Sequence, residues 1–250
     1  MRSSLNSLSF AYALAKLKDF PAPDGQLVQE KPRVAGKGSS TLNMSAKDGF
    51  VFVTDPEGEA ARRYKQIVDE ILGRAWPRKR MLVTSPAPGE GKTVTSVNIA
   101  LALAAKGHSV FLAELTLMRP RYRFVFGAPP TLRGVESVLR GEATPEEVTF
   151  LLGETGVAVT SVGAPMPDNE LLNKRASLHK LIAFGESKCE WVILDVPSIE
   201  ESPAVKELAS QAGPVVMVAR SYKTKLAVFR KATNTLGSDL DYVILNDIAS

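Results

Sequence analysis

Short apolar runs alternate with helix-like amphipathic segments over residues 50–250. The apolar runs predict strands at residues 80–84, 109–115, 157–162, 191–196, 214–219 and 242–245. Apolar residues at helical spacing predict helices at residues 58–72, 95–106, 134–139, 145–152, 169–176, 177–186, 203–211 and 223–236. Strands separated by helices favour parallel pairing, so the pattern predicts an α/β fold with a mostly parallel sheet flanked by helices.

Residues 1–47 have a different pattern. Residues 8–20 place Phe10, Leu14 and Leu17 on one stripe of a short amphipathic helix, which ends at Pro21. Residues 24–48 are polar and rich in Gly, Ser, Lys and Pro, as in a flexible linker. We therefore expect a flexible N-terminal segment at residues 1–47, either a docking helix on a tether or a disordered tail, and one folded domain at residues 48–250.

The junction between the first of these predicted strands and the helix that follows it has the pattern of a phosphate-binding loop. Residues 83–94 read VTSPAPGEGKTV, so a glycine-rich loop joins a strand to a helix. In such a loop, backbone N–H groups surround phosphate, Lys92 reaches the terminal phosphates and the Thr93 hydroxyl holds Mg²⁺. Pro86 replaces the first glycine of G-x-x-x-x-G-K-[ST], which leaves a chance loop as the alternative. The order of elements favours a nucleotide site formed by Pro88, Gly89, Glu90, Gly91, Lys92, Thr93 and Val94.

Two predicted strands end in a carboxylate. Asp195 follows the apolar run WVIL, and Glu114 follows VFLA. Because ligands bind at the carboxyl ends of parallel strands, Asp195 is the candidate Walker-B acid that acts on Mg²⁺. Glu114 is a candidate catalytic base or a shaper of the metal's water shell. The alternatives are that Asp195 caps the next turn and that Glu114 only marks the end of its strand.

Composition narrows the class of protein. The 250 residues are enough for one α/β domain, and the net charge is only +4. Basic clusters at residues 74–80 and 119–123 are either solvated surface or contacts for phosphate, an acidic partner or anionic lipid. No basic stripe is interleaved with aromatic residues, so nucleic acid is not an expected partner. Cys189 is the only cysteine, and no apolar run approaches the ~18 residues of a membrane span, which favours the cytoplasm.

The order of these motifs resembles the cytoplasmic domain of the bacterial tyrosine kinases (BY-kinases) of capsule and exopolysaccharide synthesis, relatives of the MinD/ParA-type P-loop ATPases. The segments PGEGKT, VFLAEL and WVILDVPS carry the resemblance, which extends over residues 59–246 and includes the loops at residues 140–144 and 162–172. The resemblance implies a P-loop NTPase fold that binds ATP or ADP with Mg²⁺. It assigns Thr93 and Asp195 to the metal.

The resemblance also implies partners. Glu59, Arg62 and Lys65 occupy the E-x-x-R-x-x-R pattern through which the family packs subunits into rings, so a homo-oligomer is expected. Lysine at the last position implies a weaker ring, because lysine lacks the planar fork of arginine. Family members act with a membrane-spanning polysaccharide co-polymerase or adaptor. This chain is therefore expected to be cytoplasmic and to be recruited to the inner face of the cell membrane.

The sequence departs from the family at the catalytic acids and the tyrosines. The family motif D-x-D-x-R reads Glu114, Thr116 and Met118 here, so one acid is lengthened and the other is lost. The usual C-terminal tyrosine cluster is absent, since the five tyrosines are scattered. In-line phosphoryl transfer needs tightly positioned acid and metal, so the expected function is an ATP-binding regulator of polysaccharide synthesis and export, either a pseudokinase or a weak ATPase.

Two alternatives remain open at this point. One is an active tyrosine kinase that phosphorylates a partner chain in trans. The other is a MinD/ParA-like positioning ATPase. That branch has a lysine where this chain has Ala87, which argues against this alternative.

Overall fold

The computed structural model describes residues 41–42, 49–128 and 132–246. The amphipathic stretch at residues 8–20 lies outside the described residues, and so does the rest of the segment 1–47 apart from Thr41 and Leu42. The strands are β1 (Thr41–Leu42), β2 (Arg80–Thr84), β3 (Val110–Glu114), β4 (Thr149–Leu152), β5 (Val157–Thr160), β6 (Trp191–Asp195), β7 (Val215–Arg220) and β8 (Tyr242–Asn246).

Helices connect these strands. They are α1 (Val51–Thr54), α2 (Glu59–Leu72), α3 (Lys92–Ala105), α4 (Tyr122–Val125), α5 (Val135–Arg140), α6 (Glu170–Asn173), α7 (Arg175–Lys188), α8 (Ala204–Ser210) and α9 (Leu226–Leu236), followed by a 3₁₀ turn at Gly237–Asp239. None of the helices in the described part of the chain is both long and apolar enough to span a bilayer.

The strands form one sheet in the order β1-β4-β5-β3-β6-β2-β7-β8. Every neighbouring pair is parallel except β4 and β5, which are antiparallel. This confirms the predicted mostly parallel α/β sheet. The parallel register places Glu114 of β3 opposite Asp195 of β6, and Asp195 opposite Val83 of β2. The ends of three central strands therefore meet at one edge of the sheet.

Alternate residues of the central strands enter two apolar cores. Phe111 and Val192 belong to the core that contains α5, α7, α8 and α9, whereas Leu112 and Ile193 belong to the core that contains α2 and α3. Because successive side chains of a strand point to opposite faces, helices cover both faces of the sheet. Burial of each large apolar side chain contributes about 1.5–3 kcal/mol.

One predicted helix is wrong. Residues 145–152 end in the strand β4, which pairs antiparallel with β5. Phe150 and Leu152 are buried while Thr149 and Leu151 are only half-buried, so the segment has the two-residue period of a strand with one face on the core. The preceding Thr144–Glu147 hydrogen bonds close a turn and do not continue into a helix.

A second difference concerns the start of α3. The helix begins at Lys92, three residues before the predicted start at Thr95, because Gly91 caps it in the left-handed conformation. This shift places Lys92 and Thr93 in the first turn of the helix, at the positive end of its dipole.

Candidate nucleotide-binding site

The loop between β2 and α3 has the backbone conformation of a phosphate cradle. Gly89 has a φ of +81° and Gly91 a φ of +97°, a region that residues with a Cβ adopt only under strain. A Cβ on Gly91 would also lie 2.2 Å from the side-chain nitrogen of Asn246. Glycine at both positions therefore leaves the loop N–H groups accessible to an anion.

Glu90 anchors this loop to the neighbouring strands. Its carboxylate accepts hydrogen bonds from the backbone N–H of Arg220 at 2.7 Å and from the Thr224 hydroxyl at 2.5 Å. The Asn246 side-chain amide donates to the Glu90 carbonyl at 3.3 Å. The Glu90 side chain is buried in these contacts and fixes the loop. The loop would therefore bind an anion through its backbone N–H groups and not through this side chain.

A cavity of about 450 Å³ opens in front of the loop. Six of the seven residues predicted to bind nucleotide line it, all except Glu90. The side chains that bear charge at its surface are three cations and one acid. The lining residues are Pro88, Gly89, Gly91, Lys92, Thr93, Val94, Thr116, Arg119, Arg121, Val125 and Glu201.

Asp195 lies beneath the cavity, at the end of β6. It is 0% exposed, and neither carboxylate oxygen has a hydrogen-bond partner among the residues that the structure describes. Burial raises the pKa of Asp195 to about 6, against the opposing effects of the Lys92 charge and of the hydroxyls of Thr93, Tyr122 and Ser96. An unsatisfied buried carboxylate is costly, and a cation among its neighbours would relieve that cost. The oxygen donors of Thr93 and Asp195 are of the type that Mg²⁺ prefers, so these residues fit the metal that the sequence predicts.

Glu114 lies beside Asp195 but is used differently. One carboxylate oxygen accepts hydrogen bonds from the backbone N–H groups of Arg121 and, at 2.9 Å, Tyr122, and the other accepts from Val162 at 3.0 Å. Burial raises the pKa of Glu114 to about 8, and the Asp195 charge adds to the effect, while these three N–H groups oppose it. Neither Glu114 nor Asp195 is among the described residues that line the cavity, and the Glu114 carboxylate joins the segment at residues 121–122 to Val162.

The connection after β3 forms the side of the cavity where the family's second acid would stand. The side chain of Asp168 accepts hydrogen bonds from the backbone of Leu117 at 2.7 Å and of Met118 at 3.0 Å, which holds this connection in place. Thr116 lines the cavity, and its buried hydroxyl has no hydrogen-bond partner in the described part of the chain. Thr116 therefore provides a neutral donor and acceptor where a carboxylate would add negative charge.

The sequence patterns did not assign Arg119, Arg121 and Glu201 to the site. Glu201 accepts hydrogen bonds from the backbone and the hydroxyl of Ser198, and its other oxygen lies 3.9 Å from Arg119. The available signal was the position of the basic cluster at residues 119–123, directly after a strand that ends at the ligand edge. The other cluster, at residues 74–80, precedes β2 at the opposite edge, where Arg80 pairs with Glu186.

Glu59, Arg62 and Lys65 lie together on the first turns of α2. The Arg62 guanidinium donates to the carbonyl of Glu57 at 2.5 Å, and the Lys65 ammonium reaches the carbonyl of Pro56 and the carboxylate of Glu57, each at 3.3 Å. Glu59 forms an ion pair with Arg63 within the helix. The three predicted interface residues are thus one exposed or half-exposed patch, and their role between subunits stays a prediction.

Comparison with known proteins places this geometry in context. The tyrosine-protein kinase YwqD of Bacillus subtilis is 29% identical over 192 residues, which cover 75% of this chain and 80% of that protein. The tyrosine-protein kinase CpsD of Streptococcus agalactiae is 26% identical over 173 residues, 68% of this chain and 76% of that protein. The chain is a homologue of the bacterial tyrosine-protein kinases. No protein family model matches the chain.

Solved structures show the same fold. The kinase domain of the Escherichia coli tyrosine kinase ETK superposes with a TM-score of 0.72 at 19% identity and covers 84% of this chain and 89% of that chain. The cell division ATPase MinD of Pyrococcus furiosus gives a TM-score of 0.52 at 20% identity, with coverages of 66% and 68%. A cobyrinic acid a,c-diamide synthase of Mycobacterium smegmatis with bound ATP analogue and magnesium gives 0.51 at 20% identity, with coverages of 65% and 71%. These likenesses confirm the predicted P-loop NTPase fold.

Proposed function

We propose that this protein is a BY-kinase-like, ATP-binding regulator of capsule or exopolysaccharide synthesis and export. It binds ATP or ADP with Mg²⁺ and acts as a pseudokinase or a weak ATPase. The observation that carries the proposal is the glycine cradle of the β2–α3 loop, which opens into a cavity lined by Lys92, Arg119 and Arg121. Backbone N–H groups at a helix N-terminus together with cationic side chains bind polyphosphate.

Thr93 and Asp195 are the residues that would hold Mg²⁺ in this site. When bound, the metal neutralises charge on the phosphates. Lys92 lies close enough to influence Asp195, and both side chains are buried, so a phosphate group held by Lys92 would be adjacent to the metal-binding oxygens.

The positions of the acidic residues support slow phosphoryl transfer. Glu114, the candidate base, accepts hydrogen bonds from three backbone N–H groups, and Thr116 brings no charge. The side chain left for acid chemistry at the ends of β3 and β6 is Asp195. A site with a phosphate cradle and one available acid binds nucleotide and transfers phosphoryl groups poorly.

The membrane partner and the assembly belong to the same proposal. The surface patch of Glu59, Arg62 and Lys65 supports association of copies into a ring, and the likeness to BY-kinases supports a membrane-spanning polysaccharide co-polymerase or adaptor as partner. Such a partner would hold the protein at the inner face of the cell membrane.

A second candidate function is an active tyrosine kinase that acts on another chain. The names of the homologous proteins and the position of the buried Asp195 close to Lys92 and Thr93 favour it. Phosphotyrosine formation on a partner would decide for this function over the first.

Substitution of Lys92 tests nucleotide binding. Lys92→Ala removes the buried ammonium that faces the phosphates, and a charge-assisted contact contributes about 1.5–3 kcal/mol. We expect Mg·ATP to bind to the wild type in calorimetry and to bind at least about tenfold more weakly to Lys92→Ala. Lys106→Ala is the matched control, because Lys106 pairs with Asp69 at the far end of the same helix. Equal affinity of the folded Lys92→Ala protein and the wild type would refute the site.

A further inference from the structure

Arg121 lies on the side of the cavity formed by the connection between β3 and α4. Within the described ranges its guanidinium makes no hydrogen bond and no ion pair, whereas the neighbouring Arg119 lies 3.9 Å from Glu201. The same cavity contains the glycine loop and Lys92. A guanidinium without a protein partner in such a cavity is free to bind an anion.

Glu114 fixes the backbone that carries Arg121. Its carboxylate accepts hydrogen bonds from the backbone N–H groups of Arg121 and Tyr122, and through Val162 it ties this segment to the end of the neighbouring strand β5. Tyr122 is itself fully buried, with its hydroxyl 3.2 Å from that of Ser96. Because Glu114 and the buried Tyr122 hold the backbone at Arg121, its side chain loses less freedom on binding than one on a loose loop.

The balance of charge also favours a role for Arg121. The acid that lines the cavity is Glu201, whose carboxylate already accepts a hydrogen bond from the Ser198 hydroxyl. Thr116, which also lines the cavity, is neutral. The negative charge of a polyphosphate is therefore met by side-chain cations. Arginine binds phosphate through two parallel N–H···O bonds, which gives a preference for a terminal phosphate with accessible oxygens.

We propose that Arg121 binds the terminal phosphate of a nucleoside triphosphate held by the β2–α3 loop, and that Glu114 is the positioning residue that holds Arg121 against the cavity. The inference rests on the proposed function, because it assigns to the same site its selectivity for triphosphate over diphosphate. It gives Glu114 a structural task at the position where the family has a catalytic acid.

Calorimetric titration of the full chain with ATP, ADP and AMP, in excess Mg²⁺, tests the role of Arg121. We expect Arg121→Gln to weaken ATP binding by at least about tenfold and ADP binding by less than about threefold, because one charge-assisted phosphate contact is lost. The ATP affinity of Arg121→Lys should fall between those of the wild type and Arg121→Gln, since lysine keeps the charge and lacks the planar pair of N–H donors. Arg123→Gln is the matched control, because Arg123 lies two residues further on in α4, stacks over Phe124 and is not among the residues that line the cavity.

The positioning role of Glu114 has its own readout. Glu114→Gln should reduce the ratio of ATP to ADP affinity in the same way as Arg121→Gln, and the double variant should show no further loss, because both changes remove one interaction. Melting without ligand confirms that each variant is folded. An equal loss for ATP and ADP in folded Glu114→Gln would show a general structural role and would overturn the positioning assignment.

The outcomes separate this inference from the proposed function. If the wild type binds ATP and Arg121→Gln retains the same ratio of ATP to ADP affinity, the role of Arg121 is overturned and the nucleotide site stands. If the wild type binds no nucleotide, both the site and the role of Arg121 are overturned.

Discussion

At the scale of residues, two carboxylates with the same sequence pattern have different environments. Glu114 and Asp195 end adjacent parallel strands and face each other in register. Both are fully buried, yet Glu114 accepts three backbone hydrogen bonds, whereas Asp195 accepts none from the residues described. Both positions could be predicted from the apolar runs that precede them. Their partners could not, because those partners come from residues 7 to 48 positions away in sequence.

The raised pKa of Glu114 predicts a pH dependence of stability. Its pKa is about 8 in the folded protein and 4.5 ordinarily, so below pH 4.5 the group is protonated in both states and contributes nothing to the dependence. Between these values the unfolded chain loses the proton and the folded chain keeps it. The unfolding free energy therefore falls as pH rises, by at most about 1.4 kcal/mol per pH unit.

Urea unfolding of the wild type and of Glu114→Gln between pH 5 and 8 measures this effect. We expect a shallower decline in the variant, which has no proton to lose. Parallel curves would indicate that Glu114 is already ionised in the folded protein.

At the scale of elements, the strands with uninterrupted apolar runs were predictable, whereas β4 was not. The central strands β3 and β6 are buried on both faces, so every residue of the run is apolar up to the final acid. The strand β4, which lies between β1 and β5, alternates between buried and half-buried residues, so it lacks the fully buried run of the central strands. Its assignment as a strand depends on pairing with β5, which is a tertiary interaction.

The packing of α7 on β3 gives a prediction at this scale. A Cβ on Gly185 would lie 2.3 Å from the Phe111 ring, so the helix approaches the sheet only because this residue is glycine. Alanine would favour the helix by about 0.5–1 kcal/mol, but overpacking costs about 1–3 kcal/mol. We expect Gly185→Ala to lower the unfolding free energy by about 1–2 kcal/mol in chemical denaturation. Ser187→Ala on the exposed face of α7 is the control, and a variant as stable as the control would disprove the close contact.

At the scale of the whole molecule, parallel pairing brings the loops after β2, β3 and β6 to one edge and assembles the cavity there. The same fold buries two of the four tyrosines that the structure describes. Tyr122 and Tyr242 are fully buried, whereas Tyr222 is 99% exposed on the loop after β7. Its φ of +60° is the one positive value among the non-glycine residues that the structure describes.

We expect incubation with Mg·ATP to give little or no phosphotyrosine, because the base position and the second acid are both altered. Intact mass and phosphotyrosine blotting measure the product. Thr116→Asp, which places a carboxylate on the cavity wall, should increase any transfer. A strong label on the wild type that disappears in Tyr222→Phe would instead favour an active kinase.

The sequence by itself determined the class of fold, the phosphate loop and the two strand-terminal acids. These features are local: a strand, a glycine-rich turn and a helix start are specified by residues within a few positions of each other. The ring patch and the N-terminal segment stay predictions on the same local grounds.

Only the tertiary structure decided what each acid does and which cations share the cavity. Glu114 became a backbone anchor because Arg121, Tyr122 and Val162 direct their N–H groups at it. Within the described residues Asp195 was left without a hydrogen-bond partner, close to Lys92 and Thr93. The physical reason is that packing decides which groups surround a buried carboxylate, and one of the groups that reach Glu114 lies 48 positions away in sequence.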